Sequence, residues 1–196
     1  MSSHLHTMGH GSWSLNRTAF MATLHCLTGC AIGEVLGMII GTALGWDDAA
    51  TIALAVVLAF AFGYALTMLP LLRSGLVLGI ALPLAFASDS LSIAVMEIVD
   101  NGVMLAVPGA MDAGLGSALF WGALGFALVV AFAFAYPLNR YLIARGQGHA
   151  VVHGLHSQEG VQPLETGSQR QFVLIGTAAV AVTLLITVGA ASLVGA

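Results

Sequence analysis

A histidine, two cysteines and a glutamate lie within one apolar stretch near the start of the chain, TLHCLTGCAIGEVLGM at residues 23–38. On a helix, positions four apart drift by only about 40° around the axis, so residues at that spacing share one face. The face consists of Cys26, Cys30, Glu34 and Met38. Thiolate and thioether sulfur suit Cu(I), and imidazole with thiolate suits Zn(II). This stripe, with His25 beside it, predicts a transition-metal site or a proton-binding site.

A second polar stretch, SDSLSIAVMEIVDNGVM at residues 88–104, carries three carboxyl groups. Asp89 and Asp100 are eleven residues apart, about three helical turns, and therefore face the same side. Met96 lies between them on that face, Ser92 and Met104 border it, and Glu97 is expected to turn partly away. We expect this stripe to face the one around Glu34 across a shared polar cavity, as part of a metal site or of a proton or cation pathway.

Buried carboxylates are costly in a membrane. One charged group near the bilayer centre costs about 2.5 kcal/mol or more even on lenient insertion scales. No lysine or arginine lies at comparable depth in the predicted spans, so salt bridging does not explain these groups. The alternatives are a bound cation or proton, or carboxyls that stay protonated and hydrogen-bonded with no transport role.

The elements that position these groups are apolar helices. Hydrophobic residues make up 59% of the 196 residues, charged residues make up 7%, and the mean hydropathy of +0.98 lies outside the range of soluble proteins. About 20 apolar residues are needed for each crossing of a bilayer. The predicted spans are residues 19–44, 50–71, 75–103, 118–143 and 171–194. We therefore predict an all-α integral membrane protein, a bundle of about five transmembrane helices.

Arginine positions predict the orientation of the bundle. The chain has five arginines and no lysine, and a cytoplasmic N-terminus would place all five inside, as the positive-inside rule requires. The predicted layout is a cytoplasmic segment 1–18, a four-helix core 19–144, a cytoplasmic linker 145–170 and a fifth helix 171–196. This favours a multi-pass protein of the bacterial inner membrane. Within residues 101–116, the helix-disfavouring residues Asn101, Gly102, Pro108 and Gly109 leave open a broken or re-entrant end to the third span.

A ladder of glycines at four-residue spacing runs beside the first polar stripe. It consists of Gly29, Gly33, Gly37, Gly41 and Gly45. Glycines at this spacing let another helix approach backbone to backbone, so the ladder predicts tight helix packing. Five helices alone can scarcely enclose a pathway, and we therefore expect a homo-oligomer, most simply a dimer, in the lipid bilayer.

Histidines cluster on the predicted cytoplasmic side. One cluster is His149, His153 and His156, and another is His4, His6 and His10. Either cluster could capture a metal before export, and a metal-handling protein is the partner that such a role implies. Glycines at 146, 148 and 154 instead favour a loosely structured loop around the first cluster.

Other function classes are disfavoured. We expect no enzyme, because phosphate-binding loops and nucleophile elbows are absent from the sequence. An intramembrane aspartyl protease needs aspartates on facing helices, whereas Asp89 and Asp100 share one helix. The net charge of −4 and the absence of a basic patch exclude nucleic-acid binding.

Several stretches resemble one family. They are ATLHCLTGCAIGEVLGMIIGTALGW, FGYALTMLPLL, SIAVMEIVDNGVMLAVPGAMDAG and LNRYLIARGQGHAVVH, and the resemblance covers residues 19–153. They are similar to the bacterial membrane family catalogued as domain of unknown function 4396. The resemblance implies a polytopic membrane protein with no assigned activity. An association of family members with heavy-metal and copper handling favours the metal interpretation.

The sequence therefore predicts a membrane transporter or channel for a cation, most simply copper, zinc or protons. Two alternatives remain open. One is a membrane protein that binds or delivers metal without transporting it, and the other is a scaffold or accessory subunit assembled through its glycines.

Overall fold

The chain forms a bundle of membrane-spanning helices. A computed structural model describes residues 8–73, 75–145 and 166–194, and within these ranges it contains helices and no strand. The helices are α1 (Met8–Leu44), α2 (Asp48–Arg73), α3 (Leu78–Ala106), α4 (Ala118–Ala144) and α5 (Thr166–Val194). Each is long and apolar enough to cross a membrane. The prediction of a five-helix membrane protein is confirmed.

Two helix boundaries differ from the predicted ones in ways that matter. Helix α1 begins at Met8, well before residue 19, although its apolar span begins only at Ser14. Helix α3 continues unbroken past Asn101 to Ala106. Residues 107–117 then form turns, with Gly109 at a φ of 75°, so the third span is not broken and this segment is not a re-entrant helix.

The connection between α1 and α2 is short because its residues suit a tight turn. Gly45 has a φ of 68°, a left-handed conformation that favours glycine. Its N–H donates to the Thr42 carbonyl at 3.2 Å, and the Trp46 N–H donates to the Gly41 carbonyl at 3.0 Å. This pattern is a Schellman cap, which satisfies the last carbonyls of α1. The Asp47 carboxylate then accepts the Ala50 N–H at 2.8 Å and caps the start of α2.

The glycine ladder is the surface on which α1 meets α2. A Cβ added to Gly29 would lie 2.7 Å from the Gly63 Cα, and one added to Gly37 would lie 2.7 Å from the Ala55 Cβ. A Cβ on Gly33 would overlap the backbone of Ala59. The predicted tight packing is therefore found, with the partner helix in the same chain. Gly45 instead caps the helix, and no atom lies within 4 Å of its added Cβ.

Helix α3 lies at the centre of the bundle and contacts each of the other four helices. Within its most apolar window 56% of residues are buried, compared with 17% for α5, which presents most of its surface to lipid. Helix α5 packs on α3 closely enough that a Cβ on Gly176 would lie 2.8 Å from the Phe86 ring. The carboxyl groups of α3 are thus surrounded by protein.

Candidate functional site

The two predicted polar stripes face each other between α1 and α3. Their titratable members are buried to 4% exposure or less. These are Cys26, Cys30 and Glu34 on α1, and Asp89, Glu97 and Asp100 on α3. We call this set the polar line. Helix α2 comes between α1 and α3 in the chain and runs in the opposite direction, so α1 and α3 are parallel. Residues late in both helices therefore lie at the same end of the bundle.

One end of the polar line is centred on Asp89. The Cys26 thiol donates to the Asp89 Oδ1, with 3.8 Å between sulfur and oxygen. The carboxyl of Asp89 also interacts with Thr67 of α2, with the neighbouring Ser88 and with His25 of α1. Three helices therefore place polar groups around a carboxyl that is fully buried.

The other end holds three carboxyl groups in mutual electrostatic contact. Glu34 interacts with Asp100 and Glu97, and Glu97 interacts with Asp100. The Asn101 amide donates to the Glu97 carbonyl at 2.9 Å and lies 3.5 Å from its Oε2. Among the described residues, four of these carboxyl oxygens have no hydrogen-bond partner of good geometry: Glu34 Oε2, Glu97 Oε1 and both oxygens of Asp100.

Cys30 connects the two ends. It interacts with Glu97 and Glu34 on one side and with Cys26, one helical turn away, on the other. Asp89 and Asp100 are eleven residues apart on α3, which corresponds to about 16 Å along the helix axis. The polar line therefore extends across roughly half of a hydrocarbon core about 30 Å thick.

Arginine does not neutralise this line. All five arginines of the chain are exposed, and none lies in the middle of a span. The buried carboxyl groups of Glu34, Glu97 and Asp100 interact with one another, and they cannot all be ionised in a low-dielectric interior without compensating positive charge. A proton or a bound cation must offset the charge.

Clusters of apolar side chains lie beyond both ends of the polar line. Beyond Glu34 and Asp100 lies a cluster of buried residues built around Met38, Met104, Ala110, Phe120 and Leu124. Beyond Asp89, toward the start of α3, lies another cluster of Leu71, Ala81 and Leu84. The six titratable side chains of the polar line are thus buried within the bundle.

Several predicted site residues have positions that differ from the expected ones. Glu97 was expected to turn partly away, but it is 1% exposed and belongs to the carboxyl cluster. The reason is that Glu97 and Asp100 are three residues apart, a spacing that places side chains on one helix face. Met38 lies in the apolar cluster with Met104, and Met96 packs in the central core among aliphatic and aromatic side chains. His25 is half-buried beside Asp89.

The cysteines and carboxyls of the described residues are not gathered at one point. The described residues contain no group of three or more histidine, cysteine, aspartate or glutamate side chains with the geometry to hold a metal ion. Cys26 is paired with Asp89, and Cys30 interacts with a different carboxyl, Glu97. The predicted capture clusters lie outside the described residues: His4, His6, His149, His153 and His156, together with the side chain of His10.

Sequence reasoning missed a polar contact from α4. The Asn139 amide donates to the Thr23 hydroxyl at 2.9 Å and to the Ser92 hydroxyl at 3.0 Å. Asn139 is 2% exposed, and both hydroxyl residues are fully buried. The signal in the sequence was an asparagine directly before Arg140, inside a predicted span, where a lone amide needs partners. Its partners on two other helices were not visible in the sequence.

Comparison with known proteins identifies a family without a described activity. A family model described as "Domain of unknown function (DUF4396)" matches residues 15–148, which is more than half of the chain. No curated protein and no solved structure matches the chain. The matched range includes most of α1, all of α2 to α4 and hence the whole polar line, whereas α5 lies beyond it.

Proposed function

We propose that this chain, which belongs to the DUF4396 family, is a membrane transporter or channel for a cation and that protons are the ion it moves. The observation that carries the proposal is the contact of Glu34, Glu97 and Asp100 inside the bundle, with no arginine beside them. Intramembrane carboxyls are costly, and where they occur they mark ion or proton pathways.

In this proposal the polar line acts as a series of proton-binding positions. The three-carboxyl cluster can share one or more protons, because the charges repel one another unless protons are held between them. Cys30 bridges the cluster to Cys26 and Asp89, so a proton at one end has polar partners along about 16 Å of the helix axis. The apolar clusters at both ends imply that a change of conformation or entry of water is needed for passage.

Proton movement is tested with purified protein in liposomes that contain a pH-sensitive dye, with a potassium gradient and valinomycin as the driving force. We expect the native protein to acidify or alkalinise the lumen according to the sign of the potential. Glu34→Gln and Asp100→Asn keep side-chain shape but remove a proton site, and each should lower the rate by about 100-fold, the lower end of what a positioned acid–base group contributes.

Asp112→Asn is the matched control, because Asp112 is an exposed carboxyl in the connection between α3 and α4. Its flux should equal that of the native protein. A native rate equal to that of empty liposomes, or equal rates for Glu34→Gln and Asp112→Asn, would refute the proposal. The scaffold interpretation would then be preferred.

A transition metal as the transported ion is the second candidate, supported by the two buried thiols in the polar line. Soft thiolate ligands select Cu(I) and also suit Zn(II). Mass spectrometry for copper and zinc in detergent-purified protein tests it, with Cys26→Ser/Cys30→Ser as the matched variant. Stoichiometric metal that disappears in the variant would support metal binding. Metal without flux would indicate a binding or delivery protein, whose partner would be another metal-handling protein.

The proposed setting is the bacterial inner membrane with the N-terminus in the cytoplasm. The support is that all five arginines then lie at cytoplasmic helix ends. In this orientation Glu34 and Asp100 lie toward the outside and Asp89 toward the inside. A homodimer is also proposed, but Gly29 to Gly41 already pack against α2 and do not supply its interface.

A further inference from the structure

The bridge made by Asn139 ties three helices together at one end of the polar line. One amide of α4 donates both of its hydrogens, to Thr23 of α1 at 2.9 Å and to Ser92 of α3 at 3.0 Å. The Thr23 hydroxyl donates a hydrogen bond to the Ala19 carbonyl at 2.8 Å, so its oxygen must be the acceptor for the Asn139 amide. The orientation of the Asn139 side chain is therefore fixed by its partners.

The bridge is directly joined to the polar line. Ser92 accepts from Asn139, which leaves the serine hydrogen free to be donated, and the Ser92 side chain interacts with the Cys26 thiol. Cys26 in turn donates to Asp89. Asn139 thus determines which way the Ser92 hydroxyl can point next to the first thiol of the line.

The bridge also lies next to an exposed polar pair. The residue after Asn139 is Arg140, whose exposed guanidinium donates from Nε to the Asn16 Oδ1 at 2.7 Å. Asn16 precedes Thr23 by seven residues, which is about 10 Å along α1. The Asn139 amide therefore lies between the exposed Arg140–Asn16 pair and the buried Cys26 thiol.

We propose that Asn139 is a positioning residue that closes this end of the polar line, and that Cys26 and Asp89 become accessible from the Arg140 side only when the bridge opens. A carboxamide neither gives nor takes a proton in the physiological range, so it holds the helices together without relaying protons. The description of the line as a pathway rests on the proposed function, whereas the closure of this end does not.

The test measures access to Cys26 from each side of the membrane. In a Cys30→Ser background Cys26 is the only thiol, because the chain has two cysteines. The probe is a membrane-impermeant trimethylammonium methanethiosulfonate reagent, added to oriented vesicles from one side and then from the other. Asn139→Ala should raise the modification rate of Cys26 by roughly tenfold or more, as expected when two hydrogen bonds are lost. The increase should occur only from the Arg140 side.

Two further variants separate closure from general loosening. Thr23→Val removes one of the two acceptors and should give a smaller increase from the same side. Thr183→Val alters a fully buried hydroxyl on α5, away from the bridge, and should change nothing. An unchanged rate in Asn139→Ala, or an equal increase from both sides, would refute the proposal. If Asn139→Ala does not fold, the Cys26 modification rate of Thr23→Val tests the proposal instead, because this variant keeps the Asn139 amide and its hydrogen bond to Ser92. An unchanged rate in Thr23→Val would then refute the proposal.

The same variants distinguish this inference from the proposed function. Labelling does not depend on flux, so a native protein that moves no protons refutes the function and leaves the closure testable. Conversely, native flux that falls in Glu34→Gln, combined with unchanged labelling in Asn139→Ala, supports the function and refutes the closure.

Discussion

Substitution of one glycine tests how closely α1 and α2 approach each other. In Gly33→Ala the added Cβ overlaps the backbone N and Cα of Ala59. Backbone atoms within a helix cannot swing aside as a flexible side chain can, and carbon atoms in contact prefer separations of about 3.5–4.0 Å. The two helices must therefore move apart along their contact. Overpacking of this kind typically costs about 1–3 kcal/mol.

Gly122→Ala is the matched control for this substitution. Gly122 is also inside a helix, α4, but no atom lies within 4 Å of its added Cβ. Alanine is favoured over glycine in a helix by up to about 1 kcal/mol, so the control should be neutral or slightly stabilising. Gly41→Ala should fall between the two, because its Cβ meets the Thr51 side chain, which can rotate.

The assay is reversible unfolding by sodium dodecyl sulfate in mixed micelles, followed by circular dichroism. We expect Gly33→Ala to lower the free energy of unfolding by about 1–3 kcal/mol relative to the native protein. If Gly33→Ala were as stable as Gly122→Ala, the backbone contact between α1 and α2 would be wrong.

Three more predictions concern helix ends and orientation. Gly45→Val should lower the free energy of unfolding by about 1–2 kcal/mol, because a side chain strains the left-handed conformation, and Gly45→Asn should lower it less in the same unfolding assay. Asp47→Ala removes the side chain that caps the Ala50 N–H, and it should lower both the free energy of unfolding, by about 1 kcal/mol, and the melting temperature. Asp47→Asn keeps an acceptor oxygen, so equal melting temperatures for the two variants would contradict the cap. In a cysteine-free background, Asp112→Cys should react with an impermeant thiol reagent from outside and Ser157→Cys only from inside; outside labelling of Ser157→Cys would overturn the five-span orientation.

The membrane helices were predictable because their signal is local. Length and apolar content identify a span without knowledge of its neighbours, and the spacing of Cys26, Cys30 and Glu34 identifies a shared face. An eleven-residue spacing likewise predicted that Asp89 and Asp100 share one face of α3, and both are buried. The predicted orientation of Glu97 was wrong. Four helices surround α3, so its buried face is wider than a single stripe of residues.

Partners across helices were not predictable from one sequence. The glycine ladder predicted close packing, but periodicity does not say which helix covers a face, and in the structure that helix is α2. For the same reason Asn139 could not be connected to Thr23 and Ser92, which lie far away in the chain. The predicted metal ligands share a face with the carboxyls, and their use as ligands stays a prediction, since among the described residues no group of three is gathered at one point.

The glycine contact between α1 and α2 has a consequence for biogenesis. Consecutive helices joined by a short turn can pair as a hairpin as soon as both have left the ribosome. Glu34, next to Gly33, enters the bilayer with this hairpin, but Glu97 and Asp100 follow only after a delay of several seconds at about 5–20 residues per second. During that interval the carboxyl of Glu34 has none of its α3 partners. Until the third helix is inserted, the cost of placing the Glu34 carboxyl in the bilayer must therefore be offset by the insertion machinery, by water near the protein-conducting channel or by a bound proton. Assembly of the nascent chain can stall at this residue.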